Sequence, residues 1–348
     1  MSRAGEPLPT RQNGPVRITV LAGGVGGAKF LLGLRDHLAE RWPDGDGGTT
    51  AEVDVVVNTG DDMWLAGLKI CPDLDSIMYA LGGANDTERG WGRADETERV
   101  SAELTAYGIG WPWFTLGDLD LATHIARSSL LRDGLTLTEV TARLAERWNL
   151  GVRLLPMSDQ PVETHVEITV DGKRRIVHFE EWWVKYRATV PAQRFIQVGL
   201  DKAVANPLAV RSLERADVIL FAPSNPVVSI GTILELRGMR QALDRAGAPI
   251  AGVSPIIGGS AVRGMADQCL TAIGVETTAA AVAKHYGARG RGGVLDAWLI
   301  DGIDEPSARV IEAAGIRTSV VPLWMTDATT SGQLASDALD AAFAVPRR

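Results

Sequence analysis

Four glycines, Gly23, Gly24, Gly26 and Gly27, fall within five positions in LAGGVGGAKF, the stretch that follows the apolar run VRITV. Glycine tolerates positive φ and lets a ligand approach the backbone. A helix starting there would aim free N–H groups and its positive dipole end at that ligand. Phosphate is the natural guest, and Lys29 sits where it can reach one. The competing reading is a tight strand-to-helix turn beside a solvated lysine. The stretch is not GxxxxGK[ST], which argues against a P-loop NTPase. It matches the dinucleotide fingerprint only loosely, because Asn58 stands where a ribose-binding acid is expected.

Acidic residues follow. NTGDD, residues 58 to 62, closes the second apolar run, and Asp61 and Asp62 suit a magnesium ion held beside phosphates. One of them is alternatively a general base, or the pair belongs to an Asx-rich turn. CPDLDSI adds Asp73 and Asp75 before an apolar helix, where one aspartate is normally a cap. Four aspartates within fifteen residues of otherwise apolar chain look like a metal–phosphate pocket, with Asp75 as the favoured second-site carboxylate. TLGDLD (115 to 120) and MSDQPVET (157 to 164) offer hydroxyls and short acids that can read a nucleoside or polyol, or simply turn the chain. APSNPVVSIGTIL (222 to 234) combines Ser224, Asn225 and a fresh helix start at Ser229, either an anion- or base-recognition site or a capped helix. Arg263 is a further candidate phosphate contact. His124, in THIAR, could line a cleft, but the favoured reading is a surface or core histidine. Trp91, Trp111, Trp113, Trp182 and Trp183 fall in loops and a hairpin, where packing or stacking on a flat ligand are the two roles. The five histidines show no HxxxH or HExxH spacing, which argues against zinc, and no GxSxG elbow exists.

These residues need a frame. Arg17 to Leu21 reads as a buried strand, KFLLGLRDHLAERW as a helix, and VDVVVN as a second buried strand. This β–α–β opening predicts a doubly wound α/β fold. LDLATHIARSSLLRDGLTLTEVTARLAERWNL reads as two helical pieces broken near Asp133 and Gly134. VETHVEITVDGKRRIVHFEEWWV reads as a β-hairpin turning at Asp171 and Gly172. ADVILFAPS, APIAGVSPII, VLDAWLIDG and RTSVVPLWM are further strands, SIGTILELRGMRQALDRAG one helix, and the end of the chain another. The expected organisation is a disordered leader over 1–15 and a single Rossmann-like unit over 16–348, with a smaller inserted α+β region at about 85–200.

Composition sets outer bounds. The chain has 348 residues, 45% hydrophobic and 22% charged, enough for a large core. A net charge of −8 argues against nucleic-acid partners. No apolar run approaches the ~18–20 residues of a membrane span. Cys71 and Cys269 are too few for a disulfide framework and read as reduced thiols, consistent with a cytoplasmic protein.

Taken in order, VLAGGVGGAKFLLGL, NTGDD with CPDLDSIMYALGG, TLGDLDLATHI, LLPMSDQPVET, APSNPVVSIGTIL and SPIIGGSAVRGMAD resemble the CofD family, the 2-phospho-L-lactate transferases of deazaflavin coenzyme F-420 biosynthesis. The blocks span roughly residues 17 to 330 and are most similar to the phosphoenolpyruvate-transferring branch. The resemblance implies a mostly parallel Rossmann-like sheet with a smaller additional region, a homodimer, and magnesium. It implies transfer of an enolpyruvyl- or lactyl-phosphate group from a guanosine diphospho-conjugate to the deazaflavin Fo, with GMP leaving. On this resemblance the glycines and Lys29 hold the donor diphosphate. Asp62 and Asp75, with Asp61, hold magnesium, and one of these or Asp118 draws the hydroxyl proton. The guanosine side lies toward Ser224, Asn225 and Ser229, and the deazaflavin side near Asp62, Trp91, Thr115 and Asp118. Thr59 before GDD and the GGSAVRGMAD segment depart from the family pattern. The resemblance also carries an alternative, a nucleotide-sugar-binding regulator of the gluconeogenesis-factor type. Asp61 and Asp62 with CPDLD favour the transferase, since a binder needs no magnesium carboxylates.

Overall fold

The structure is a computed structural model that describes residues 14–262 and 264–348. Arg263 and most of the expected leader lie outside the described residues. Seven strands form the main sheet: β1 (Arg17–Ala22), β2 (Glu52–Val57), β3 (Arg153–Pro156), β4 (Val218–Phe221), β5 (Ile250–Val253), β6 (Ala297–Ile300) and β7 (Arg317–Val320). Their order is β3-β2-β1-β4-β5-β6-β7, and every neighbouring pair is parallel. The α/β, doubly wound reading of the sequence is what is observed. Strand order reverses between β1 and β4, and such a switch point leaves a crevice at the carboxyl ends of the strands.

Side-chain alternation along the strands builds two cores. Ile18, Val20, Val55, Val57, Val218 and Leu220 face one side, against Phe30, Leu31, Leu34 and Leu38 of helix α1 (Gly24–Arg41) and Leu334 and Leu339 of the last helix, Ala328–Phe343. Leu21, Val56, Ile219 and Phe221 face the other, against Leu213, Ile233 and Leu243 of helices Pro207–Arg215, Ile230–Glu235 and Met239–Arg245. Each large aliphatic buried this way contributes about 1.5–3 kcal/mol. Truncating Leu34, fully buried between α1 and the sheet, to alanine would cost about 2–5 kcal/mol.

Between β2 and β3 lie a small antiparallel hairpin (Met63–Leu65 with Leu68–Ile70), helix α2 (Pro72–Leu81), a short helix Arg99–Ala106, helix α3 (Asp118–Arg132) and the helix Leu137–Ala145. Thus β3, an edge strand of the main sheet, falls inside the stretch 85–200. After β3 comes a three-stranded antiparallel sheet in which Glu163–Val170 pairs with both Lys173–His178 and Arg194–Val198. Asp171 (φ 51°) and Gly172 (φ 71°) make the expected turn.

Two elements depart from expectation. The hairpin stops at His178, and Glu181–Lys185 forms a wide π-type turn instead of a strand end. Trp182 is fully buried with its indole N–H donated to the Val190 carbonyl at 2.7 Å, while Trp183 lines the central cavity. The single helix expected over 229–247 stops after Glu235, Arg237 pairs with Val204 in an isolated bridge, and the helix resumes after Gly238 at φ 99°. No helix among the described residues is long and apolar enough to cross a membrane.

Candidate functional site

The glycine turn leaves the end of β1 and meets the Pro223–Asn225 loop leaving β4. Ser224 Oγ accepts from the Gly23 N–H at 3.0 Å and donates to the Gly23 carbonyl at 2.7 Å. A Cβ on Gly26 would stand 2.7 Å from the Pro223 carbonyl oxygen, so only glycine permits that approach. Gly24 carries φ 60° and starts α1 without any acid in its first turn. Gly27 lies behind, with Ala22 Cβ and Ser224 Oγ each 3.0 Å from where its Cβ would be. Asn225 Oδ1 accepts from the Val227 and Val228 amides at 2.9 and 3.2 Å, fixing the loop that carries Ser229.

Above this floor opens a cavity of about 1090 Å³. Gly23, Gly24, Gly26, Lys29, Asp61, Asp75, Trp91, Thr115, Ser224, Asn225 and Ser229, all singled out in the sequence, line it. Its wall also holds Asp73, Asp120, Glu98 and Glu180, against Lys29 and Arg187 as the cations among the described lining residues. Trp113, Phe114, Phe179 and Trp183 supply aromatic surface. Trp91 and Trp324 are about half exposed. Trp111 stacks on Trp113 at 4.9 Å between ring centres.

The acidic residues divide by partner. Asn58, in the position where a dinucleotide fold places an acid, donates Nδ2 to Asp73 at 2.8 Å and to Asp61 at 3.2 Å. Its Oδ1 accepts from the Gly60 amide at 2.9 Å. Asp61 Oδ1 is buried without a hydrogen-bond partner among the described residues. Among the described residues, no side-chain cation is paired with Asp61 or Asp73. Burial, then Asp73, Glu180 and Asp62, push the Asp61 carboxyl well above its usual range. Burial raises Asp73 to about 7 despite the Asn58 contact, and burial plus Asp73 raises Glu180 to about 8. Uncompensated buried carboxylates facing a cavity are costly, and a divalent cation relieves the cost. Asp61 and Asp73 therefore fit magnesium.

Asp62 and Asp75 are differently placed. Asp62, nearly fully buried behind the wall, pairs with Lys69 at 3.3 Å and accepts the Cys71 thiol at 3.0 Å. Asp75 is gripped by both guanidinium nitrogens of the buried Arg127, one at 3.0 Å. Of the metal set read from sequence, Asp62 and Asp75 are paired with Lys69 and Arg127, whereas Asp61, like its neighbour Asp73, has no such partner among the described residues. Asp75, Asp120 and His124 do bring ligand atoms within 4.8 Å of one another, but Arg127 supplies positive charge there.

Asp118 turns away from the cavity. It accepts from the Thr97 amide and hydroxyl at 3.0 and 2.8 Å and from the Leu119 amide at 2.8 Å, closing the start of α3. Helical phase instead presents Asp120 and His124, one turn apart, to the cavity. The i, i+4 spacing in DLATH was the available signal for this pair. Glu180 had no such signal, because its position depends on the wide turn after the hairpin.

Comparison with known proteins adds an independent line. A family model described as 2-phospho-L-lactate transferase CofD matches residues 18–328. A protein of Streptomyces coelicolor named phosphoenolpyruvate transferase is 52% identical over 324 residues, covering 93% of this chain and 97% of its own. Proteins of the same name from Thermobifida fusca and Mycolicibacterium smegmatis are each 50% identical, covering 96% and 94% of this chain and 100% and 99% of theirs. Among solved structures, a UPF0052-family protein of Bacillus halodurans superposes with a TM-score of 0.59 at 16% identity, covering 94% of this chain and all of that one. That likeness shows a shared fold.

Proposed function

Since the chain belongs to the CofD family of 2-phospho-L-lactate transferases, we propose that it transfers a phosphoenolpyruvyl group from enolpyruvyl-diphospho-5'-guanosine to the deazaflavin Fo in F-420 biosynthesis, a 2-phospholactyl group being the other acid the family takes. The observation that carries this is the convergence, in one cavity at the β1/β4 switch point, of the Gly23–Gly26 backbone with Asp61 and Asp73. A hydroxyl oxygen of Fo attacks the phosphorus that bears the acid group. The bond from that phosphorus to the GMP oxygen breaks, GMP departs, and the hydroxyl proton passes to a basic group of the site. Such transfer is chiefly positioning and charge neutralisation.

The glycine backbone and the start of α1 hold the donor diphosphate, with Lys29 at its flank. Ser224, Asn225 and Ser229 serve the guanosine side. Trp91 and Thr115 serve the deazaflavin side, where Trp113 and Phe114 add flat apolar surface. Asp61 and Asp73 would hold magnesium, which when bound neutralises charge on the transferred phosphoryl group. Asp62, paired with Lys69, and Asp75, paired with Arg127, hold the frame around them. The family resemblance supports a cytoplasmic homodimer acting on small molecules.

The test is incubation of the protein with Fo, magnesium and each guanosine-activated acid, followed by mass spectrometry. The expected product is Fo carrying phosphoenolpyruvate, with GMP in equal amount. Thermal stabilisation by UDP-sugars but not by GMP or Fo, without product, would point instead to the nucleotide-sugar binder.

A further inference from the structure

We propose that His124 and Asp120 together form a binding site for a single hydroxyl group of the acceptor's polyol chain, with Arg127 and Tyr79 as the residues that position them; this rests on the transferase reading above. Arg127 can only donate, and its Nη1 lies 3.0 Å from His124 Nδ1. Nδ1 is therefore the acceptor, and the ring carries its proton on Nε2. His124 is 1% exposed, lines the cavity, and its Nε2 makes no aligned hydrogen bond among the described residues. The nearest acid, Asp120 Oδ1, is 3.3 Å away and already receives the Tyr79 hydroxyl at 2.7 Å. The Tyr79 hydroxyl donates to Asp120 and the Arg127 guanidinium stands nearby, so the carboxylate is the acceptor of the set. Burial pushes the Tyr79 phenol up, so it stays a donor.

The cavity wall thus carries an unsatisfied N–H beside a carboxylate. A ligand phosphate or carboxylate would meet the charge of Asp120. An ammonium would satisfy Asp120 and leave Nε2–H unpaired. A hydroxyl accepts from Nε2 and donates to Asp120 at once. Its alignment is set from behind by Arg127, which also holds Asp75, and by Tyr79 from helix α2. The site lies among groups distinct from Asp61 and Asp73, so it orients the acceptor rather than the donor diphosphate.

The experiment is calorimetric titration of the full chain with Fo, and with Fo analogues lacking one ribityl hydroxyl each, for the wild type, Asp120→Asn and Tyr79→Phe. A hydrogen bond to a charged group predicts a ~10-fold or larger loss of Fo affinity in Asp120→Asn and a smaller loss in Tyr79→Phe. One deoxy analogue should bind the wild type correspondingly weakly and bind Asp120→Asn as well as Fo does. GMP affinity with magnesium should stay within ~2-fold in both variants, which also shows that they are folded. Unchanged Fo affinity in both variants, equal penalties for every deoxy analogue in wild type and variant, or no Fo binding by the wild type would overturn the proposal. Product formation is read separately: Fo binding with these differences but no transfer would overturn the transferase reading and leave the hydroxyl site standing.

Discussion

Ser224 and Gly23 hold each other through two hydrogen bonds across 201 residues of chain, one from the Gly23 amide to the Ser224 hydroxyl oxygen and one from the Ser224 hydroxyl to the Gly23 carbonyl. The clasp joins the loops leaving β1 and β4 and so fixes the width of the crevice where the strand order reverses. Ser224→Ala strands a buried N–H and a buried carbonyl, a loss of about 1–3 kcal/mol. Urea unfolding should show that loss, and GMP affinity should fall with it as the crevice loosens. Unchanged GMP affinity in a variant destabilised by this amount would separate the clasp from ligand binding.

Gly23 also sets the spacing between backbone and acid. A Cβ there would stand 2.6 Å from Asp73 Oδ2 and 2.8 Å from Ser229 Cβ. Gly23→Ala must therefore push Asp73 away from Asn58 or move the Ser229 loop. We expect the variant to fold, to bind magnesium at least ~10-fold more weakly, and to lose transfer by a larger factor, because misplacement of about 1 Å at a reacting centre can cost ~100-fold. Magnesium titration followed by heat release, alongside initial rates, checks both parts.

Sequence carried the frame further than the site. The apolar runs of β1 and β2 and the glycines between them name a doubly wound start, and turn chemistry at Asp171 and Gly172 places the hairpin. Which aspartate keeps a free charge was not legible, because that depends on cations arriving from elsewhere. Lys69 comes from a three-residue strand of the small hairpin, and Arg127 from a helix 52 residues beyond Asp75. Asp118 and Asp120 differ only in helical phase, which is set once Thr97 fastens the first of them. Asn58 read as the lack of an acid, whereas in space it holds two of them.

The magnesium-free protein should lose stability as pH rises through the upper titration range of its acid cluster. Asp73 is held at about 7, Glu180 at about 8, and Asp61 well above the carboxylate range. In the unfolded chain these groups ionise near ~4. The folded state therefore binds more protons than the unfolded state between those limits, and stability declines with rising pH there. His178, lowered to about 4 by burial, acts in the opposite sense, but only below its ordinary value near ~6.5. Between about pH 6.5 and 8.5 the acid cluster dominates. Urea midpoints after chelation should fall across that window, and added magnesium should flatten the profile. A flat profile without magnesium would mean that the cluster is already compensated.

Neighbouring Asp61 and Asp62 should answer the same substitution in opposite ways. Asp61→Asn removes a charge that burial and its acidic neighbours already disfavour, and an amide there still accepts from Asn58. We expect equal or higher stability in the magnesium-free protein, with weakened magnesium binding and transfer reduced by ~100-fold or more, the scale of losing one charge-stabilising group. Asp62→Asn instead leaves the Lys69 ammonium, 7% exposed on its side chain, without its counter-charge. Breaking a buried pair on one side costs about 3–5 kcal/mol. That variant should unfold earlier in urea, and the additional change Lys69→Met should recover much of the loss. If Asp62→Asn keeps wild-type stability and loses magnesium binding, while Asp61→Asn keeps that binding, the two residues have exchanged roles and the metal belongs to Asp62.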